Sequence, residues 1–231
     1  MSKKRLPRRS DQSEIGKKRM NHRRIETNRL ILRKFEENDM EAIYFLFSDK
    51  EVNTFLPWYP VKDRNEAENF FERRLKGRRY CFAICLKDDD YPIGYIHAEE
   101  DDSHDFGYAL RREYWHQGIV SEAGNAVIEL LKEEGIPYIT ATHDRNNPGS
   151  GAVMKRIGMK YCYSYKEQWQ PKNVPVIFRR GCKIFCVYGN ETFQIRIRYV
   201  VLFVGFCSRV FCRIYLSGYS ISCPLSFIHA F

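Results

Sequence analysis

Between residues 25 and 180 the apolar residues switch repeatedly between the alternating spacing of strands and the three-or-four spacing of helices, and the order of those switches leaves few folds open. Leu30, Leu32 and Phe35 lie in a strand-like run, TNRLILRKF. Asn38 with Glu41 three residues on has the form of a capping box, and opens a helix that carries Met40, Ile43, Tyr44 and Phe47 on one face. Residues 64–76 fit a second amphipathic helix through Phe70, Phe71 and Leu75. YCFAICL and PIGYIHAE flank Asp88, Asp89 and Asp90 and read as a hairpin, and a further strand is predicted over 106–110. A long helix follows from about Gly118 through Glu134, with Val120, Ala123, Val127, Leu130 and Leu131 at helical spacing and Gly135 and Pro137 as stop signals. YITATHD is the next strand, 150–157 a short helix capped by Ser150 and ended by Gly158, and 161–165 and 174–179 are two closing strands. Strands that run together first and then alternate with helices predict an α/β (α+β) chain, a mixed sheet with helices on its faces.

The ends differ from this middle. The net charge is +9. Residues 1–24 hold ten Lys/Arg against Asp11 and Glu14, and residues 181–231 hold five against Glu191. The stretch 25–180 is therefore mildly acidic, with 23 basic and 26 acidic residues. The first 24 residues read as a flexible basic arm, a dispensable extension or a contact for a ribosomal protein or nucleic acid. Residues 181–231 form an atypical apolar, Cys-rich tail, expected to carry no chemistry. Its longest apolar run is broken by Arg209 and Arg213 before a bilayer-spanning length accumulates. No apolar signal segment opens the chain, no C-x-x-C occurs, and no cysteine pair has a histidine at zinc-finger spacing. A cytoplasmic protein with reduced thiols and no metal is the expectation.

The most informative stretch is YWHQGIVSEA, residues 114–123, where a strand gives way to a helix through Gly118. The first turn of a helix leaves its N–H groups unpaired at the positive end of the dipole, and a glycine there lets an anion approach. About thirty residues on, Asn146, Asn147, Pro148, Gly149 and Ser150 open the short helix GAVMKRIGMKY. Each feature alone suits an ordinary turn and cap. In this order, with a strand before each helix, they point together to a phosphate-bearing ligand.

The same residues resemble the GNAT-fold acetyltransferases, in the branch similar to the RimJ/RimL ribosomal-protein N-terminal acetyltransferases. The resemblance runs from IETNRLILRKF to NVPVIFR and rests on TNRLILR, FGYALRREYWHQGIVSEA and NNPGSGAVMKRIGMKY. It implies the acyl-CoA N-acyltransferase fold, a central mixed, mostly antiparallel sheet flanked by helices. It also implies acetyl-CoA as co-substrate. The pyrophosphate would lie on the backbone of His116, Gln117, Gly118, Ile119, Val120 and Ser121, the pantetheine along the strand ending at Ala109 and Leu110, and Asn147 on the donor side. Two positions depart from the family pattern: His116 stands where a glycine is usual, tolerable if its side chain points outward, and Met154 stands where many members carry a tyrosine acid. Ser150 inherits the acid's role.

The implied reaction is transfer of acetyl to a primary amine, of a protein N-terminus or a small molecule, by direct attack with both substrates bound. A base must take the amine's proton. Glu99 is the preferred candidate and His97 the second, both on one face of the strand before the core motif. The acidic run from Glu99 to Asp102 also suits attraction of a cationic acceptor. Cys81 and Cys85 share a strand face and are expected in the core, without a visible histidine partner for covalent catalysis. Tyr161, Tyr163 and Tyr165 alternate on one face, as core or acceptor-groove lining, and Trp58 and Trp169 are candidates for shaping the acceptor side. Two alternatives remain: an acetyltransferase-like protein impaired because its last strand breaks off after Arg179, and a binding protein that works through the basic arm.

Overall fold

The computed structural model describes residues 24–185 throughout and, beyond them, the backbone of three further strands. Apart from Arg24 the basic arm lies outside the described residues. The larger sheet is antiparallel and ordered β1 (Ile25–Glu26), β2 (Leu30–Arg33), β3 (Cys81–Leu86), β4 (Pro92–Ala98) and β5 (Phe106–Leu110). The smaller one places β8 (Val174–Ile184) between β6 (Tyr138–Asp144) and β7 (Lys160–Trp169), again antiparallel. Beyond Phe185, β9 (Arg196–Val204), β10 (Cys207–Leu216) and β11 (Tyr219–Pro224) pair among themselves in chain order. Among the described residues no helix is long and apolar enough to cross a membrane.

Alternation of side chains divides the core between the two faces of the sheet. On one face Leu30, Leu32, Phe82, Ile84, Ile96, Phe106 and Leu110 pack against α3 (Ile119–Glu133) and α4 (Pro148–Arg156). On the other, Ile31, Cys81, Ala83, Cys85, Tyr95 and Ala109 pack against α1 (Met40–Ser48) and α2 (Arg64–Phe70), which continues as a wider turn over Phe71–Leu75. Both cysteines are fully buried, as expected, and burial pushes their thiols up to about 12, which keeps them protonated.

The entry to α1 differs from the expectation: the capping box closes the short turn Glu37–Asp39 just before the helix, and α1 itself has no side-chain cap. Asp39, not Asn38 with Glu41, does the work. One carboxylate oxygen accepts the Glu36 N–H at 2.8 Å and an Arg33 N–H at 2.7 Å, while the other takes a second Arg33 N–H at 2.9 Å. Arg33 also reaches Asp90 in the β3–β4 turn at 3.0 Å. A buried cation selects the carboxylate it can hold with two bonds, and that tertiary pair overrides the local capping pattern.

The short helix also begins earlier than expected. Pro148 occupies its first turn, where a missing N–H costs nothing, and Asn147 is the cap, its Oδ1 accepting the Ser150 N–H at 3.1 Å. Ser150 therefore lies inside the helix rather than capping it. In β7 a bulge at Cys162 breaks the expected tyrosine alternation, because Tyr161 pairs with Gly181 whereas Tyr163 pairs with Arg180. Tyr163 and Tyr165 keep one face, and Tyr161 is turned to the other and exposed. Finally, β8 does not stop at Arg179. It pairs with β6 as far as Ile184, and Phe185 is buried in the α3 core. The premise of a sheet cut short after Arg179 is therefore not met.

Replacing Asp39 by alanine leaves the Arg33 guanidinium, only 15% exposed, without its bidentate partner and removes the cap of the turn Glu37–Asp39 that leads into α1. The expected loss is about 3 kcal/mol, read as a lower urea midpoint with an unchanged slope.

Candidate active site

The two sheets meet at a single point. β5 and β6 run parallel and share one bridge, Asp105 with Thr140. The junction is tied by Thr140 N–H to the His104 carbonyl (3.2 Å), by Thr140 Oγ1 to the Ser103 carbonyl (2.6 Å) and by the Tyr138 hydroxyl to the Asp102 carbonyl (2.5 Å). Past this neck no ladder joins the two strands among the described residues, although each is fully paired on its other side. The free edge of β5 thus presents backbone donors and acceptors to a wedge between the sheets, and such groups need a partner.

The start of α3 follows the open end of β5. Gly118 takes φ +76°, and a Cβ on it would meet nothing nearer than the Arg29 guanidinium, at 3.9 Å. Trp115 Nε1 donates to the Leu110 carbonyl at 2.7 Å and folds the linker back onto β5. Arg29 clamps the turn from outside, donating to the Gln117 carbonyl at 3.2 Å and to Glu122 at 2.7 Å. Burial works against the charge of Glu122. The Thr27 hydroxyl and the Arg29 N–H and guanidinium outweigh it and hold the carboxyl below its ordinary range. The first-turn N–H groups of Ile119, Val120 and Ser121 have no partner within the helix, and Ser121 Oγ is sealed from solvent with no hydrogen-bond partner among the described residues. An uncrowded glycine, free amides, an orphaned hydroxyl and a nearby guanidinium suit a diphosphate. His116 is also left-handed, at φ +62°, and its side chain is exposed, so it does not fill the cradle.

Ala109 and Leu110 lie on β5, Ala109 toward α1 and α2 and Leu110 toward α3. Asn147 spends its carbonyl on capping α4. The structure adds Tyr108, which sequence reasoning passed over. Its hydroxyl lies 2.9 Å from Ser150 Oγ and 3.0 Å from the Ser150 carbonyl, linking β5 to α4. Burial pushes this phenol up to about 12, so it stays protonated and can donate. Met154 is buried and touches Gly181, with no hydroxyl to offer.

His97 and Glu99 stand on the opposite face, that of α1 and α2. The His97 ring stacks on Tyr95, with centroids 5.6 Å apart, and covers Gly107, where a Cβ would fall 2.3 Å from the ring. Burial pushes His97 down to about 4, so at neutral pH the ring is uncharged. Glu99 makes two 2.7 Å contacts with Arg78 and lies 3.6 Å from His97 Nε2. The tip of the β7–β8 hairpin closes this side: Lys172 Nζ donates to the Asn53 and Thr54 carbonyls at 2.6 and 3.0 Å, and the Tyr59 hydroxyl donates to the Pro171 carbonyl at 3.1 Å. Trp58 packs edge-on against Phe47 and Phe70, and Trp169 against Phe178. His97 and Glu99 are thus brought together on one face of β5, with Ser150 and Tyr108 on the other.

Comparison with known proteins places the fold in a known family. The acetyltransferase (GNAT) domain family matches residues 29–160. An uncharacterized N-acetyltransferase of Bacillus subtilis (strain 168), YnaD, is 32% identical over 140 residues, 59% of this chain and 82% of the relative. A GNAT-family acetyltransferase from Bacillus anthracis has a similar fold, with a TM-score of 0.63 at 24% identity over 70% of this chain and 98% of that one. A putative ribosomal-protein-serine acetyltransferase from Vibrio cholerae gives 0.60 at 19% identity over 71% and 99%.

Gly118→Val puts a branched side chain into the left-handed region, at an expected cost of about 1–2 kcal/mol, and blocks the approach to the helix start. Calorimetry at 25 °C is expected to show CoA affinity reduced at least tenfold while the variant remains folded. His97 gives a second expectation. Its pKa is depressed on folding, so the stability it contributes is complete above the unfolded value near 6.5 and is lost as pH falls toward 4. The stability difference between the protein and His97→Asn should shift against the histidine by on the order of 2 kcal/mol between pH 7 and 4, by denaturant titration. Taking that difference removes the opposing contribution of Asp105, whose raised pKa favours the folded state over part of the same range.

Proposed function

This chain belongs to the GNAT acetyltransferase family and is an N-acetyltransferase that uses acetyl-CoA; from that premise we propose that its acceptor is a primary amine, of a peptide N-terminus or a small cationic molecule, attacking directly in a ternary complex. The observation that carries this reading is the division of polar groups across β5. Amides and a guanidinium gather at the start of α3, and carboxylates gather on the face of α1 and α2. The thioester of acetyl-CoA supplies an electrophilic carbonyl and a thiolate leaving group.

The residues divide the work as follows. The backbone of His116, Gln117, Gly118, Ile119, Val120 and Ser121 would hold the diphosphate, with Ser121 Oγ gaining a partner. The pantetheine would lie along the open side of β5 near Ala109 and Leu110, and Asn147 would flank it from α4. Fixing both reactants in this wedge removes much of the entropic barrier to attack, and a β5 N–H aimed at the carbonyl oxygen stabilises developing negative charge. Ser150, beside the Tyr108 hydroxyl, would donate toward the departing sulfur. His97 is uncharged and Glu99 is held by Arg78, which suits both to orienting the amine and its waters.

Purified full-length protein is expected to release CoA thiol from acetyl-CoA with at least one member of a panel of peptide N-termini and polyamines. Ser150→Ala is expected to lower kcat by about 10–100-fold with little change in CoA affinity, a loss at or below the usual range for one acid–base group. Thiol release with none of the amines, together with no measurable CoA binding, would remove the reading.

A further inference from the structure

Two cysteines 20 residues apart in sequence meet on the smaller sheet, away from the groups assigned above. Lys160 pairs with Cys182 and Tyr161 with Gly181, so in a regular ladder Cys162 would face Arg180 and lie diagonal to Cys182, at about 7–8 Å. The bulge gives Arg180 to Tyr163 instead and takes Cys162 out of the ladder. Its Sγ then lies 2.8 Å from Cys182 Sγ. Gly181 packs on Met154 of α4, so alternation turns the next residue, Cys182, away from that helix. Both thiols are half-buried and within reach of solvent, unlike Cys81 and Cys85 in the core.

We propose that Cys162 and Cys182 form a reversible dithiol–disulfide site, oxidised by hydrogen peroxide, with Cys182 as the attacking thiolate and Cys162 as the resolving thiol. This goes beyond acetyl transfer and does not rest on it. A disulfide needs its sulfurs about 2.0 Å apart, so the bond asks for about 0.8 Å of further approach and no change of register. In the first step the Cys182 thiolate attacks one peroxide oxygen, the O–O bond breaks and hydroxide leaves, which makes Cys182 a sulfenic acid. Cys162 then attacks the sulfenic sulfur, the S–S bond forms, and the S–O bond breaks as water leaves with the Cys162 proton. The two thiols lose two electrons and two protons between them, and one peroxide becomes two waters.

The surroundings divide the roles. Lys160 stands opposite Cys182 on β7, and Arg180 stands two residues before it on the same face of β8. On the β6 side Cys182 pairs with Thr140, which carries no charge. The hydrogen bond from the Cys162 thiol brings the Cys182 pKa down to about 7; burial opposes that fall, and Arg180 and Lys160 add to it. Cys162 has a second acceptor for its proton, the Lys160 carbonyl at 3.6 Å from its Sγ. A thiolate at neutral pH in a cationic, partly exposed setting is the reactive form of a cysteine, and a protonated neighbour is placed to resolve what it becomes. The core pair Cys81 and Cys85 has the opposite setting, buried and held protonated.

The experiment treats the full-length protein with one equivalent of hydrogen peroxide at pH 7, blocks remaining thiols, and maps tryptic peptides by mass. Trypsin cuts after Lys160, Lys166, Arg180 and Lys183, so the expected product is peptide 161–166 joined to peptide 181–183, lighter by two hydrogens than the two alone. Dithiothreitol should separate them. In Cys162→Ser the sulfenic acid has no resolving thiol, and dimedone is expected to trap it on Cys182. In Cys182→Ser no adduct is expected on Cys162. Without oxidant, labelling of Cys182 by iodoacetamide should be half-maximal near pH 7, against about 8.5 for an ordinary cysteine. A linkage of either residue to one of the other six cysteines, a dimedone adduct on Cys162 with none on Cys182, or a pair that stays unlinked under peroxide overturns the assignment. None of these outcomes bears on acetyl transfer, which the amine panel tests separately.

Discussion

The site depends on one parting of strands. Among the described residues β5 and β6 hold together at Asp105 and Thr140 and nowhere further along. Closing the gap would satisfy every backbone group and leave no wedge, whereas separating the sheets completely would leave no floor. A single bridge, tied by Thr140 and Tyr138 to the loop before β5, holds the opening between these extremes. The unpaired edge of β5 is then a set of donors and acceptors awaiting a bound molecule. The same groups on an exposed edge would invite pairing with another chain.

The faces of β5 carry different chemistry because strand alternation sends neighbouring residues to opposite sides. Phe106, Tyr108 and Leu110 face α3 and α4, which bring the helix start and Ser150. Asp105, Gly107 and Ala109 face α1 and α2, where His97, Glu99 and Arg180 gather. Gly107 has a steric role here, because the His97 ring occupies the place of its missing side chain.

The order of strands and helices was legible from local patterns. The helix over α3 and the β3–β4 hairpin stand where periodicity and turn residues placed them. Errors arose where a distant partner outvoted a local signal. Arg33 chose Asp39 over the Asn38 and Glu41 capping pattern. The bulge at Cys162 turned Tyr161 away from its neighbours. The last strand ran on to Ile184 because β6 offered it a partner. Arg29 and Tyr108 were missed for a related reason: neither carries a motif, and each matters through what folding brings beside it. For Tyr108 the one available signal was its place within FGYAL, two residues before the end of the strand.

Read alone, the chain determined its periodicity, its turn and cap chemistry and the glycine that opens α3, because these depend on each residue's own backbone preferences and nearest neighbours. Its family likeness is written in the same short stretches. Burial, charge pairing and the gap between the sheets were decided only in three dimensions. The state of a carboxylate such as Asp105 is set by the dielectric and the charges around it. Its countercharge, Arg180, comes from a strand far along the chain and is set against Glu99 and Asp101 nearby, a balance that no local pattern records.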